Sequence, residues 1–135
     1  MVKRWSLKEC HKALGTVPKN PRWSWSGRSL DGKTVSVQLW QDRFSDGGRT
    51  YTTGNITSDM TWIGTPGHIE LIKNLNWAKE HCKGVVKVII AIAKDPNAHP
   101  RSIAECFPQM KLSMHIEKID EITGEFTLKR MDVSL

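Results

Sequence analysis

Cysteine, tyrosine and long apolar runs are all scarce in this chain. Its three cysteines, Cys10, Cys82 and Cys106, are an odd and widely spaced set. That excludes a fully paired disulfide framework and points to a reducing, intracellular compartment. The familiar two-residue zinc spacing is missing as well. Cys10-His11 and His81-Cys82 are adjacent pairs, and neighbours on a helix point about 100° apart. No metal or other cofactor is therefore expected. The longest apolar stretch, Val85 to Ala93, contains Lys87 and is too short to span a bilayer, so no membrane partner is expected. The opening MVKRWSLKEC lacks the apolar run of a signal peptide, and a cytoplasmic protein is the expectation. Neither a phosphate-cradling glycine motif nor a nucleophile elbow is present, and no internal repeat is visible.

What is there bounds the answer from the other side. A chain of 135 residues is expected to form one domain, 1–135, large enough for a core without staples. Its 39% apolar and 25% charged residues are those of a globular protein. Twenty basic residues against 14 acidic ones leave a net charge of +6, which favours phosphate-bearing or otherwise acidic partners. Six tryptophans stand against one tyrosine and three phenylalanines, a balance that asks for a reason.

The tryptophans concentrate in RWSWSGRSLDGKTVSVQLW, residues 22–40. Two strand-like runs flank Asp31-Gly32, which signals a two-residue turn with φ > 0 at both positions. Counting outward pairs Arg28 with Val35, Ser26 with Val37 and Ser24 with Leu39. Strand side chains alternate between faces. One face then carries Val35, Val37 and Leu39 over serines. The other carries Trp23, Trp25 and Trp40 beside Ser36 and Gln38, either as a second core layer or as a platform for a flat ligand.

The remainder reads as a mixed α and β chain. Ser6 and Glu9 form a capping box, with Trp5 and Cys10 at the positions of a hydrophobic staple and Gly15 as the stop. Residues 41–67 are long, polar and rich in Gly, Ser and Thr, with Arg43, Arg49, Tyr51 and Trp62 interleaved. They suit either a segment closing over a nucleic-acid ligand or a surface loop with a short hairpin around Gly47-Gly48. Thr65-Pro66 starts a helix reaching about Cys82, with Gly84 as its stop and Leu71, Ile72, Leu75, Ala78 and Cys82 on one face. Val85–Ala93 reads as a central strand buried on both sides. The loop after it, with Lys94, His99 and Arg101, is a second candidate cluster. Met110, Leu112, Met114 and Ile116 alternate with polar residues as a half-buried strand. Phe126 and Leu128 mark a closing one, after a turn at Thr123-Gly124.

The stretches PRWSWSGRS, VSVQLW and VVKVIIAIAKDPNAHPRSI, in this order of elements, resemble the PUA-like group, which includes the EVE, ASCH and YTH domains. The resemblance implies an α+β fold: a small mixed, mostly antiparallel β-barrel flanked by two or three helices. It further implies a nucleic-acid-binding module, for DNA or RNA, that stacks a base, modified or not, in a tryptophan-lined pocket. In that reading one or more of Trp23, Trp25 and Trp40 would stack on the base, with Trp62 also at the ligand, and Ser26, Gln38, Asn20 or Arg28 would read its edge. Arg22, Arg43, Arg49, Lys94, His99 and Arg101 would contact phosphates.

Two other classes stay open on sequence grounds. The tryptophans could be hot spots of a protein-interaction or inhibitor module with a protein partner. A metal-dependent nuclease would need clustered carboxylates, for which Asp95, Glu105, Glu117 and Glu125 with Lys129 are the available set. Their spacing matches no defined pattern, and binding rather than catalysis is the expectation.

Overall fold

The computed structural model describes residues 5–19, 24–52, 66–95, 97, 103–120 and 125–131. The expected roles of Asn20, Arg22, Trp23, Trp62, His99 and Arg101 lie outside them, as do the turn at Thr123-Gly124 and Thr65 as a cap.

The chain is α+β. Among the described residues two helices, α1 (Leu7–Ala13) and α2 (Pro66–His81), pack on one seven-stranded, mostly antiparallel sheet. The strands are β1 (Ser26–Arg28), β2 (Val35–Trp40), β3 (Phe44–Ser45), β4 (Thr50–Thr52), β5 (Val85–Ala93), β6 (Ile103–Ile119) and β7 (Phe126–Arg130). Their order across the sheet is β1-β2-β5-β6-β7-β4-β3, and β2–β5 is the parallel pair. Among the described residues no helix is long and apolar enough to cross a membrane.

The hairpin pairs in the expected register, Arg28 with Val35 and Ser26 with Val37. Its turn differs from the expected one. Ser29 N–H bonds Thr34 O at 2.9 Å and Gly32 N–H bonds Ser29 O at 3.0 Å, so the loop spans Leu30–Lys33. Only Gly32 takes a positive φ, 73°, and Asp31 stays outside that region. Asp31 instead accepts from the Ser29 hydroxyl at 2.6 Å and the Lys33 N–H at 3.0 Å, which holds its carboxyl below the usual range. Both loop types are centred on the same two residues, so the register survives the change of turn.

The capping box forms as expected, with reciprocal bonds of 3.1 Å between Ser6 and Glu9. Helix α2 starts at Pro66, where a missing N–H leaves no bond unmade. It ends where Lys83 and Gly84 take φ of 57° and 75°, and Gly84 N–H bonds back to Ala78 O at 2.9 Å. Leu71, Leu75 and Ala78 on its inner face are buried against Val35, Val37, Leu39, Val86, Val88 and Ile90. Strand β5 is buried on both faces as expected, because Ile89 points the other way, to a second cluster under α1 with Cys10 and Cys106.

The expected barrel is not closed: among the described residues no ladder joins β1 to β3. The sheet is nevertheless strongly curled. Strands β2 and β3 sit second and last in the order, five steps or about 24 Å apart if the sheet were flat. Only the single 3-10 turn Gln41–Arg43 connects them, which reaches at most about 14 Å even when stretched. The sheet must bend to meet this, and Tyr51 of β4 accepts the Trp40 N–H at 3.3 Å across the gap. The short hairpin around Gly47-Gly48 is present as β3–β4. Tyr51 is 3% exposed and stacks on Phe126, so it belongs to the core and not to a closing loop.

Candidate functional site

The sequence offered two clusters, the tryptophan hairpin and the loop after Ala93. Parallel pairing of β2 with β5 brings them to one end of the sheet. Trp40 is in register with Ala91, so the carboxyl ends of both strands stop side by side. There the half-exposed Arg43 follows Trp40, and the exposed Lys94 follows β5. Asp42 and Asp95 stand next to them in the chain, so this end carries both signs of charge. Arg49 is exposed at the far edge of the sheet, between β3 and β4.

Gln38 shares a face of β2 with Trp40, two residues away. Its Oε1 is buried and has no hydrogen-bond partner. A buried amide oxygen left unpaired costs about 1–3 kcal/mol, so a donor brought to it is favoured. Opposite it, Trp25 O accepts the Gln38 N–H at 2.8 Å. The Trp25 ring departs from the expected face: it is partly buried against the larger core, with Val35, Val37 and Leu39. Trp25 precedes the paired residues of β1 and lies in a bend, where strand alternation does not hold the side chain.

Ser26 and Arg28 point toward α2 and not toward Gln38. Asn74 donates from Nδ2 to Ser26 Oγ at 2.8 Å and accepts from Arg28 Nε and Nη2 at 3.2 and 3.0 Å. The Arg28 guanidinium lies 4.0 Å over the Trp77 ring, whose Nε1–H donates to Gly32 O at 2.8 Å. His81 packs beside the same ring, with centroids 4.0 Å apart. Sequence reasoning missed Trp77. It lies off the apolar stripe of α2, and no local spacing links it to Arg28 or Gly32 of the hairpin. The arrangement docks α2 onto the hairpin turn, and a Cβ at Gly32 would meet the indole at 2.9 Å.

The face that carries Ser36 is covered by α1. His11 Nδ1 lies 3.0 Å from both Thr16 Oγ1 and Ser36 Oγ, and those two hydroxyls are 2.6 Å apart. The ring is 1% exposed, and burial pushes its pKa from 6.5 to about 4. It is therefore neutral at physiological pH. Nε2 has no partner, so we assign the proton to Nδ1, where it can be donated. A histidine beside a serine suggests nucleophile activation, but Ser36 is fully buried and no substrate reaches it. The trio holds α1 to the sheet. Gly27 admits it, since a Cβ there would lie 2.7 Å from His11 Nδ1.

The carboxylates available to a nuclease do not assemble. Glu105 is opposite Ile92 near one end of β6, whereas Glu117 is near the other end, beside His115 at 3.6 Å. Among the described residues no group of three or more His, Cys, Asp or Glu side chains could hold a metal ion. No family model matches the chain, and no curated protein or solved structure matches it either.

Proposed function

We propose that the protein is a nucleic-acid-binding module that engages a base at the shared carboxyl end of β2 and β5. The reading rests on one observation above the rest: the unpaired, buried Gln38 Oε1 beside the half-exposed Trp40, at the end where Arg43 and Lys94 lie. An indole supplies a stacking surface that accepts any base, and the amide oxygen, buried in the free chain, accepts an N–H from a base edge once its cover is displaced. The cations contribute the salt-dependent share of affinity, in keeping with the net charge of +6. Trp23, Trp62, His99 and Arg101 belong to the same proposal, through the PUA-like resemblance. The curled, mostly antiparallel sheet supports that resemblance without the closed barrel.

Titration with single-stranded DNA and RNA, followed by tryptophan fluorescence at two salt concentrations, tests this. Quenching that weakens steeply with salt is expected. Trp40→Ala should lower affinity about 5- to 150-fold, the range of one base–aromatic stack. Unchanged fluorescence with single-stranded, duplex and modified oligonucleotides at low salt would refute the reading.

A further inference from the structure

We propose that Cys10 and Cys106 are a modification site: on exposure to a peroxide they join as a disulfide that pins α1 to β6. The two sulfurs are 3.8 Å apart although the residues are separated by 96 positions. Cys10 S–H donates to Cys106, and Cys106 S–H donates to the Trp5 carbonyl at 3.5 Å. Both thiols are reduced and buried among Ile89, Trp5, Leu7, Leu14 and Ile103. The third cysteine belongs to the other cluster: Cys82 is partly buried against the core under α2, 3.6 Å from Gly32 O, and is not among the residues around Cys10 and Cys106. Bond formation needs the sulfurs to close by roughly 1.8 Å, within reach of a side-chain rotation.

Reactivity is gated by the helix. Burial pushes the Cys10 thiol up to about 12 and raises Cys106 too, so neither is an active thiolate while α1 is seated. Helix α1 has only seven residues, and short peripheral helices open at low free energy. Cys106 is the more accessible of the pair, at 7% against 0%. Once deprotonated, its thiolate attacks a peroxide oxygen and breaks the O–O bond, giving a sulfenic acid and hydroxide, which takes up the proton the thiol released and leaves as water. Cys10 sulfur then attacks the sulfenic sulfur, forming the S–S bond and releasing a second water. Two thiols and one hydrogen peroxide thus yield one disulfide and two waters, the peroxide being reduced.

The wild-type chain is treated with hydrogen peroxide, digested without reduction and mapped by mass spectrometry. A Cys10–Cys106 cross-linked peptide, lighter by two hydrogens than the separate peptides, is expected. In the oxidised chain the α1 amides should exchange about tenfold or more slowly. The thermal midpoint should rise by about 5–10 °C, since the bond closes a loop across 96 positions of the chain. Cys82→Ser should leave all of this unchanged, and Cys106→Val should abolish it. Cross-links through Cys82, or Cys106 driven to sulfinic acid with Cys10 free, would overturn the proposal. The wild-type map decides it even where a variant fails to fold.

Discussion

Beneath α2 the sheet presents valines, a leucine and an isoleucine to Leu71, Leu75 and Ala78. Beneath α1, one strand thickness away, it presents a serine and a glycine to a buried histidine, and Ile89 to a pair of thiols. The first face is held mainly by area removed from water, which is non-directional and tolerant of small shifts, with the contacts of Asn74 and Trp77 to the hairpin added at its edge. The second is held by three mutually bonded polar side chains, whose worth depends on every partner being in place. The lesson is that one sheet anchors its two helices by different physics. The α2 side should be stronger and indifferent to pH, and the α1 side weaker and conditional.

The largest expected effect is on the α2 side. Leu75→Ala, at a fully buried position, should destabilise by about 2–5 kcal/mol in chemical denaturation, at any pH between 5 and 8. A marked pH dependence of that loss would break the contrast.

Next comes the acid limb of stability. The folded-state pKa of His11 is lowered from 6.5 to about 4, so the unfolded chain takes up the proton first. The contribution of a neutral His11 is complete above pH 6.5 and is lost as pH falls through 6.5 toward 4. At most it is about 3 kcal/mol. His11→Gln should flatten this part of the profile, and an equally steep slope in the variant would assign the effect elsewhere.

Smaller still is the steric test of the α1 contact. Gly27→Ala places a Cβ against the imidazole and should destabilise by about 1–3 kcal/mol, with faster amide exchange in α1 and none in α2. Equal acceleration in both helices would show that the two faces are not independent.

The smallest effect is at Gln38. Gln38→Leu removes an unpaired buried oxygen, so unfolding free energy should move by about 1 kcal/mol or less while oligonucleotide affinity falls. A large loss of stability would mean that the amide has a structural duty.

Much of the α2 side was legible in advance. Period-two alternation in Val35, Val37 and Leu39 and the helical stripe through Leu71, Leu75 and Ala78 are local signals, and each element carries its own. The α1 side was not legible in the same way. His11, Thr16, Ser36 and Gly27 come from three segments, and no spacing links them. The candidate site was split for a similar reason: Trp40 and Lys94 lie in distant segments, and only the parallel register makes them neighbours. Trp25 departed from its expected face because alternation fails one residue outside a paired strand.

Sequence alone determined the elements and their polarity: the capped α1, the hairpin register, the stop of α2 at Gly84, the doubly buried β5. These follow from backbone preferences and from periodicities that each segment obeys by itself. Tertiary structure decided which strands are neighbours, how sharply the sheet curls, and which polar groups are buried together. Those depend on contacts between residues far apart in the chain. Their free energy is set by packing and by desolvation at the meeting point, and neither quantity exists until the segments meet.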